Sequence, residues 1–172
     1  MQAFLSVPTF IAIAVLAVFS FFFSASEASL IALNKIRARH LADKGIKGAN
    51  SALRLITKLD KVVAAILIGN NLVNIIISSL ATIILVGIFG PKWGVVVSTL
   101  ALTIFLLVMC EIMPKTLAIR YSENTALFTA PILEVFIRLC DPLVRVFIGV
   151  IFFCKPPIGI FNFFFRCSAR NT

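Results

Sequence analysis

Three long apolar segments dominate the chain, at about residues 4–33, 62–89 and 93–119. Each is longer than the roughly 20 apolar residues that an α-helix needs to cross a hydrocarbon core about 30 Å thick. Between the second and third segments, Gly90-Pro91-Lys92 has the composition of a turn. Trp93 follows it, where an aromatic residue suits the membrane–water interface. The pattern predicts an all-α membrane protein with three transmembrane helices.

The stretch from residue 35 to 61 is polar and basic, but apolar positions recur in it at helical spacing. These positions are Ile36, His40 and Leu41 before Gly45, and Leu53, Ile56 and Leu59 after it. Such a pattern predicts a pair of basic amphipathic juxtamembrane helices along the inner leaflet. His40 is then an interfacial residue rather than a metal ligand.

The segment from about residue 124 to 154 is apolar but is not typical of a fourth span. It contains two oppositely charged i,i+4 pairs, Glu134/Arg138 and Asp141/Arg145, and it is punctuated by Pro131 and Pro142. A fourth crossing would also carry the basic tail, residues 155–172, to the outside. We therefore predict two helices that lie at the cytoplasmic interface or partly re-enter the bilayer, followed by a cytoplasmic tail.

Composition supports a membrane protein and excludes several other classes. Hydrophobic residues make up 60% of the 172 and charged residues only 13%, with a mean hydropathy of +1.08. A soluble domain averages roughly 25% charged residues, so too little polar sequence is present to coat a soluble surface. An ordinary soluble enzyme, a disordered tail and a disulfide-rich module are excluded. No Ser/His, paired aspartate or HExxH arrangement indicates an intramembrane enzyme.

The net charge of +9 reflects membrane topology rather than nucleic-acid binding. Eight of the sixteen basic residues lie between Lys35 and Lys61, and no aromatic residues interleave with them as a base-stacking surface requires. The positive-inside rule places that loop in the cytoplasm, with the N-terminus outside the cell and the C-terminus in the cytoplasm. We expect the membrane to be a bacterial or archaeal plasma membrane. A cleaved signal peptide ending near Ser24-Ala25-Ser26 is disfavoured because no Lys or Arg precedes the apolar run.

Polar residues occur at a common depth in all three predicted spans. Counted at 1.5 Å per residue, Glu27 lies about 12 Å from Lys35, whereas Asn70 lies about 14 Å from Lys61 and Glu111 about 14 Å from Arg120. In the first span, Ser20 and Ser24 share one helical face with Glu27, and in the second span Asn71, Asn74 and Ser78 share one face, with Asn70 beside them. Polar groups inside a membrane are costly and suggest function.

These groups offer carboxylate, amide and hydroxyl oxygens, which suit Mg²⁺, Ca²⁺ or Na⁺ rather than zinc or copper. Glu111 is the best single candidate, because a buried carboxylate requires a compensating cation or proton. Structural explanations stay open: Ser20, Asn74 and Ser78 as hydrogen-bonding contacts between helices, Glu27 as a partner of Lys35 or Lys61, and Glu111 with Lys115 as an i,i+4 pair.

Two positions are candidate hinges. Pro114 lacks an N–H and its ring clashes with the carbonyl of Cys110, so we expect the third helix to open there and expose that oxygen. Gly69, which precedes Asn70, is expected to let the second helix bend or be approached closely. Lys115 lies about 6 Å below Glu111 along the helix and is long enough to reach towards the cytoplasm.

Three motifs together resemble the CorC/CNNM (cyclin M) magnesium transporters. They are Ser24-Ala25-Ser26-Glu27-Ala28, Gly69-Asn70-Asn71-Leu72-Val73-Asn74 and Glu111-Ile112-Met113-Pro114-Lys115-Thr116. The resemblance covers roughly residues 10–165 and includes the order and spacing of all three motifs. Ser29 stands where the family often has Thr, which keeps the hydroxyl.

The resemblance implies a homodimer of three-span modules, each with an inward-facing cavity that binds dehydrated Mg²⁺ and exports it, driven by Na⁺ entry. It implies ion ligands at Ser24, at Asn70 or Asn71, and at Glu111, with backbone carbonyls near Gly69 and Cys110. Ser26 and Glu27 would support this site or a site for the coupling ion. The family's nucleotide-binding CBS domains do not occur in these residues, so adenine nucleotide is not expected to bind them.

The sequence therefore predicts an Mg²⁺ transport domain, residues 1–154, in which the second and third helices shift about Gly69 and Pro114. The alternative is a membrane anchor or sensor in which Mg²⁺ occupancy only sets the shape of the dimer. Residue patterns separate the two poorly, because both require the same ion site.

Overall fold

The computed structural model describes residues 7–153, with side chains up to Leu139. The chain divides into two compact units, Met1–Leu139 and Cys140–Thr172. The helices are α1 (Val7–Ala32), α2 (Lys35–Asp43), α3 (Ala49–Ile56), α4 (Leu59–Phe105), a π-helical segment (Leu106–Ile112), α5 (Met113–Arg120) and α6 (Ser122–Phe153). The described residues contain helices and turns only, which confirms the all-α prediction for this part of the chain. The predicted basic tail lies outside the described residues.

Two continuous helical stretches are long and apolar enough to cross a membrane, Val7–Ala32 and Leu59–Arg120. Their outer faces expose large apolar side chains, among them Phe10 and Val18 on α1 and Leu72 and Ile75 on α4. An exposed apolar surface of this extent is typical of contact with lipid. The chain is therefore a helical membrane protein.

The second stretch is a hairpin rather than one straight rod. Gly90 has φ 79° and ψ 168°, a backbone conformation essentially restricted to glycine, and Pro91 follows it. A methyl group added at Gly94 would lie 2.5 Å from the Cα of Val86, although eight residues of straight helix span about 12 Å. The chain therefore reverses at Gly90, as Gly90-Pro91-Lys92 predicts.

The main apolar core lies at the α2 end of α1. There the predicted amphipathic pair is present as α2 and α3, and its small residues Ala38 and Ala52 are completely buried. This core also includes residues from α1, α3, α4 and α6: Phe23, Leu30, Leu55, Val62, Ile66, Ala126, Ala130 and Leu133. The apolar face predicted for α2 is confirmed at Leu41, which is buried, but it is wrong at Ile36, which is 80% exposed, and at His40, which is also exposed. The helix buries Ala38 in their place.

The structure of α6 differs from the prediction of two helices in this segment. One helix runs from Ser122 to Phe153, and neither Pro131 nor Pro142 divides it into two. Proline removes one helical hydrogen bond and leaves the carbonyl four residues earlier without its donor. For Pro131 that carbonyl belongs to Leu127, which packs directly against the bare Cα of Gly48 before α3. Burial of Ala126, Ala130 and Leu133 in the core supports the helix through this point.

Ion pairs connect the juxtamembrane helices to α6. Arg37 of α2 donates to both carboxylate oxygens of Glu123, at 2.7 and 3.2 Å. Arg54 of α3 donates to both oxygens of Glu134, at 3.0 and 2.8 Å. The predicted Glu134–Arg138 pair is present but longer, at 3.9 Å. The side chains of Asp141 and Arg145 lie outside the described residues.

The Arg54–Glu134 pair predicts acid sensitivity. The hydrogen bond from Arg54 holds the pKa of Glu134 below its ordinary value of 4.5. A carboxylate with a lowered pKa contributes stability above pH 4.5, and this contribution is lost as the pH falls through the folded-state pKa. We expect Glu134→Gln to remove this part of the acid destabilisation, about 1 kcal/mol or less, as measured by thermal unfolding in detergent. Equal acid sensitivity in wild type and variant would show that other groups carry the effect.

Candidate functional site

Polar side chains of α1, α4, the π-helical segment and α5 form two groups on the side of α1 that faces α4 and α5. The serine–asparagine cluster comprises Ser20, Ser24, Asn70 and Asn74. The carboxylate–lysine triad comprises Glu27, Glu111 and Lys115. The Glu111 side chain is 44% exposed, so the expectation that it is a buried carboxylate is wrong for this chain on its own. Glu27 follows Ser24 by three residues, which places the two groups about 4.5 Å apart along the axis of α1.

In the serine–asparagine cluster, Ser20 is the central contact. Its Oγ lies 2.8 Å from Oδ1 of Asn70 and 2.7 Å from Oδ1 of Asn74, so its single proton serves one amide at a time. Asn70 Nδ2 donates to the Ser24 hydroxyl at 3.5 Å. Ser20 and Ser24 are completely buried and Asn70 is nearly so. The spacing i,i+4 on both helices explains the contact, since it aligns each pair on one helical face.

Other serines of α1 bond to their own helix. Ser26 donates to the carbonyl of Phe22 at 2.7 Å, and Ser29 donates to the carbonyl of Ser26 at 3.0 Å. Both are completely buried. Ser26 therefore lies near the cluster in sequence but points its proton at the backbone, whereas Ser24 faces Asn70.

The two adjacent asparagines of α4 have different surroundings. Asn70 is buried in the cluster and Asn71 is exposed on another face of the helix. The preceding Gly69 is buried, and a methyl group there would lie 3.0 Å from the ring of Phe136 and 3.4 Å from that of Phe23. In this structure Gly69 thus permits close packing of two aromatic rings against α4.

The sequence predicts a helix that opens before Pro114, but the structure shows no break there. Leu106–Ile112 is instead π-helical, and the N–H of Met113 donates to Val108, five residues earlier. The wider turn absorbs the irregularity that proline introduces, and such π-helical turns are frequent at functional sites. It carries the buried Cys110, whose thiol lies beside the Ser20 hydroxyl, and then Glu111. The third motif thereby reaches the serine–asparagine cluster.

In the triad, Lys115 lies between two carboxylates from different helices. Its Nζ is 3.5 Å from Oε2 of Glu27 and 3.4 Å from Oε1 of Glu111. The i,i+4 spacing predicts the pairing of Lys115 with Glu111, whereas the partners that the sequence predicts for Glu27 are Lys35 and Lys61 rather than Lys115. Spacing within one helix reveals the first contact, whereas the second depends on how α1 packs against α5. That packing uses small residues: Ala25 and Ala28 of α1 lie against Ala118.

The site's chemistry is that of oxygen ligands. In the described part of the chain no three His, Cys, Asp or Glu side chains group as a conventional metal centre. The polar atoms brought together are instead amide and hydroxyl oxygens. Two carboxylates lie nearby and share the ammonium group of Lys115. Mg²⁺ favours such hard oxygen donors and commonly uses only one or two carboxylates.

Comparison with known proteins agrees with this arrangement. Residues 10–162 match the model of the family described as cyclin M transmembrane N-terminal domain. A UPF0053 protein of Haemophilus influenzae is 42% identical over 135 residues, which are 78% of this chain and 32% of that protein. The UPF0053 inner membrane protein YfjD of Escherichia coli is 40% identical over 125 residues, 73% of this chain and 29% of that protein.

A more distant relative is a chloroplastic DUF21 domain-containing protein of Arabidopsis thaliana, At1g55930. It is 34% identical over 115 residues, which are 66% of this chain and 17% of that protein. The chain thus spans a third or less of the length of these relatives. The family match covers all three motifs, which include Ser24, Asn70 and Glu111. The resemblance drawn from those motifs is confirmed, and the chain belongs to the cyclin M transmembrane domain family.

Proposed function

We propose that this chain is the membrane domain of a magnesium transporter, which binds Mg²⁺ in an inward-facing, oxygen-lined site and exports it in exchange for Na⁺. The observation that carries the proposal is the buried contact of Ser20 and Ser24 with Asn70, next to the π-helical turn bearing Cys110 and Glu111. α1 and α4 bring hydroxyl and amide oxygens together there, and the π-helical turn adds the Cys110 thiol beside Ser20. Membership of the cyclin M family supports the choice of Mg²⁺.

The proposed ligands are the Ser24 hydroxyl, the Asn70 amide oxygen and backbone carbonyls near Gly69 and Cys110, with Glu111 supplying negative charge. Asn70 is preferred over Asn71 because only Asn70 faces the cluster. To bind a cation, Asn70 Oδ1 gives up its hydrogen bond from Ser20 and faces the ion instead. Asn74 remains as an acceptor for the Ser20 hydroxyl. Ser20 can therefore change partners without losing its hydrogen bond.

Charge compensation is the second requirement. Removing water from Mg²⁺ is costly, so the site must offer a fixed anion together with several oxygens. Glu111 stands directly after Cys110 in the π-helical turn, and Glu27 lies one turn from Ser24. Ser26 and Glu27 belong to the proposal as groups that support the Mg²⁺ site or a Na⁺ site.

The same proposal includes the membrane topology. α1 and the two arms of the Leu59–Arg120 hairpin cross the plasma membrane as three spans, with α2 and α3 on the cytoplasmic side. The N-terminus is then outside and the hairpin turn at Gly90 outside. Two such chains form the working homodimer. Movement of the hairpin arms about Gly69 and Pro114 alternates access to the site.

Calorimetric titration of Mg²⁺ into the detergent-solubilised protein tests binding. We expect saturable binding that is at least about tenfold weaker in Glu111→Ala, because the charge that offsets dehydration is lost. Glu123→Ala is the matched control, since Glu123 pairs with Arg37 outside the spans. If the Kd for Mg²⁺ is unchanged in Glu111→Ala, Glu111 does not take part in binding the ion.

Flux across sealed vesicles then separates transport from sensing. A transporter moves Mg²⁺ in a Na⁺-dependent manner, and Glu111→Ala abolishes the movement. A sensor or anchor binds Mg²⁺ and moves none. Binding without flux in the reconstituted protein would favour that alternative.

A further inference from the structure

The carboxylate–lysine triad contains a contact between Lys115 and Glu27 that the sequence motifs do not predict. Lys115 contacts Glu27 and Glu111 at nearly the same distance, 3.5 and 3.4 Å. Both distances exceed the roughly 2.7–2.9 Å typical of a charge-assisted hydrogen bond. The ammonium group is therefore shared between two carboxylates rather than tightly bound to either.

From this geometry we infer that Lys115 is a tethered counter-cation: it neutralises Glu27 and Glu111 in the ion-free state and is displaced when a metal cation binds. The inference rests on the proposed function, because it assigns a competitor to the same transport site. It adds a regulatory element within the site, built from the chain's own charge.

The charge balance favours such an exchange. Two carboxylates and one lysine leave a net charge of −1, whereas two carboxylates and a divalent cation are neutral. Inside a membrane, where charges are poorly screened, the neutral arrangement is favoured. A monovalent cation in place of Lys115 leaves the same −1, so the exchange distinguishes divalent from monovalent ions.

The side chain is also suited to move. Lysine is a compact charge on a flexible four-carbon stem, and its ammonium can leave one set of partners without disturbing the helix. Lys115 is 34% exposed, whereas Glu27 is 15% exposed. The lysine has a path away from the triad, but Glu27 stays enclosed. Glu111 is itself 44% exposed, so an arriving cation can reach it, and displacement of Lys115 then frees Glu27 as well.

Two substitutions at this one position have opposite expected effects. Lys115→Met removes the competitor and leaves two carboxylates uncompensated, so the apparent Kd for Mg²⁺ should fall about fivefold or more. Lys115→Arg replaces a mobile charge with a planar group that binds carboxylates in a forked geometry, so the apparent Kd should rise by a similar factor. Lys92→Met removes the same charge at the exposed turn and is the control.

The experiment combines Mg²⁺ titration calorimetry with thermal unfolding of each purified variant, with and without Mg²⁺ and Na⁺. In the ion-free state Lys115→Met should unfold at a lower temperature than wild type, and Mg²⁺ should raise its midpoint more than that of wild type. Detectable binding in Lys115→Met alone also supports displacement. A Lys115→Met variant that is destabilised equally in all ions, with unchanged or weaker Mg²⁺ binding, assigns Lys115 to helix packing and overturns the inference.

Failure of this inference is separable from failure of the proposed function. Wild-type binding that is lost in Glu111→Ala but unaffected by either Lys115 substitution overturns the tethered counter-cation alone. Folded variants that all fail to bind or respond to Mg²⁺, including Lys115→Met, overturn both.

Discussion

Replacing Gly94 with alanine is expected to destabilise the hairpin by about 2–3 kcal/mol, whereas Gly87→Ala should be neutral or slightly stabilising. The two glycines lie on opposite arms of the same hairpin, before and after Gly90. A methyl group at Gly94 would meet the backbone of Leu85 and Val86, at 2.5 to 2.8 Å. A methyl group at Gly87 meets nothing within 4 Å.

The two substitutions differ because the added methyl group at Gly94 meets backbone atoms, whereas the one at Gly87 meets no atom within 4 Å. A side chain that is too close can rotate away, but backbone atoms of a helix cannot shift without separating the two arms. Gly94→Ala therefore forces the arms apart near the turn, and larger residues should be worse. Gly87→Ala gains helix propensity at no steric cost, which is worth up to about 1 kcal/mol in water.

Thermal unfolding of both variants in the same detergent measures this contrast. We expect a clearly lower midpoint for Gly94→Ala and a midpoint at or above wild type for Gly87→Ala. Because the hairpin positions the π-helical turn against α1, Gly94→Ala should also weaken Mg²⁺ binding. Equal stability of the two variants would mean that the arms do not pack closely at Gly94.

Much of this architecture follows from the sequence because apolar length and charge placement are local signals. The turn at Gly90-Pro91 and the basic helix pair before Leu59 are readable from composition and spacing. The common depth of Glu27, Asn70 and Glu111 stays a prediction, which comes from counting residues from the basic boundaries. None of these steps requires knowledge of how helices pack.

What the sequence could not supply depends on rotation and packing. Adjacent Asn70 and Asn71 are equivalent by depth, and only the orientation of α4 buries one and exposes the other. Proline at 114 predicts a disturbed helix, but a π-helical turn and a break are alternative responses that sequence does not separate. α6 passes Pro131 as one helix because buried contacts with α1 and α3 outweigh the single lost hydrogen bond.

Ser20 makes more contacts in the structure than its sequence pattern predicts. Its spacing from Ser24 marks a polar face of α1, but a serine in a membrane helix is often only a contact between helices. The structure places it between two amide oxygens and beside Cys110, so it connects α1, α4 and the π-helical turn. A hydrogen-bond donor that can switch acceptors would suit the proposed role of Asn70 as a cation ligand.

The asparagines of α4 permit a sharp test of the proposed Mg²⁺ site. Asn70→Ala is expected to raise the apparent Kd for Mg²⁺ at least about tenfold, because it removes a proposed ligand. Asn71→Ala should leave binding close to wild type, since Asn71 lies on an exposed face. The two substitutions are identical in chemistry and adjacent in sequence, so expression, detergent and helix propensity are matched.

Asn74→Ala separates ligation from helix packing. Like Asn70, Asn74 accepts a hydrogen bond from Ser20, at 2.7 Å, but it is not among the proposed ligands. An interhelical hydrogen bond of this kind contributes on average only about 0.6 kcal/mol in a membrane protein. Asn70→Ala and Asn74→Ala should therefore lower the unfolding midpoint similarly, while only Asn70→Ala loses Mg²⁺ binding.

Titration calorimetry and thermal unfolding on the same three samples give the answer. If Asn74→Ala abolishes binding as completely as Asn70→Ala, the cluster acts by holding α1 against α4, and the ligands lie elsewhere. If Asn71→Ala alone abolishes binding, the ion approaches from the exposed face of α4, which a second chain would have to cover. Loss confined to Asn70→Ala places the ion between α1 and α4, where Ser24 and the π-helical turn can supply its remaining oxygens.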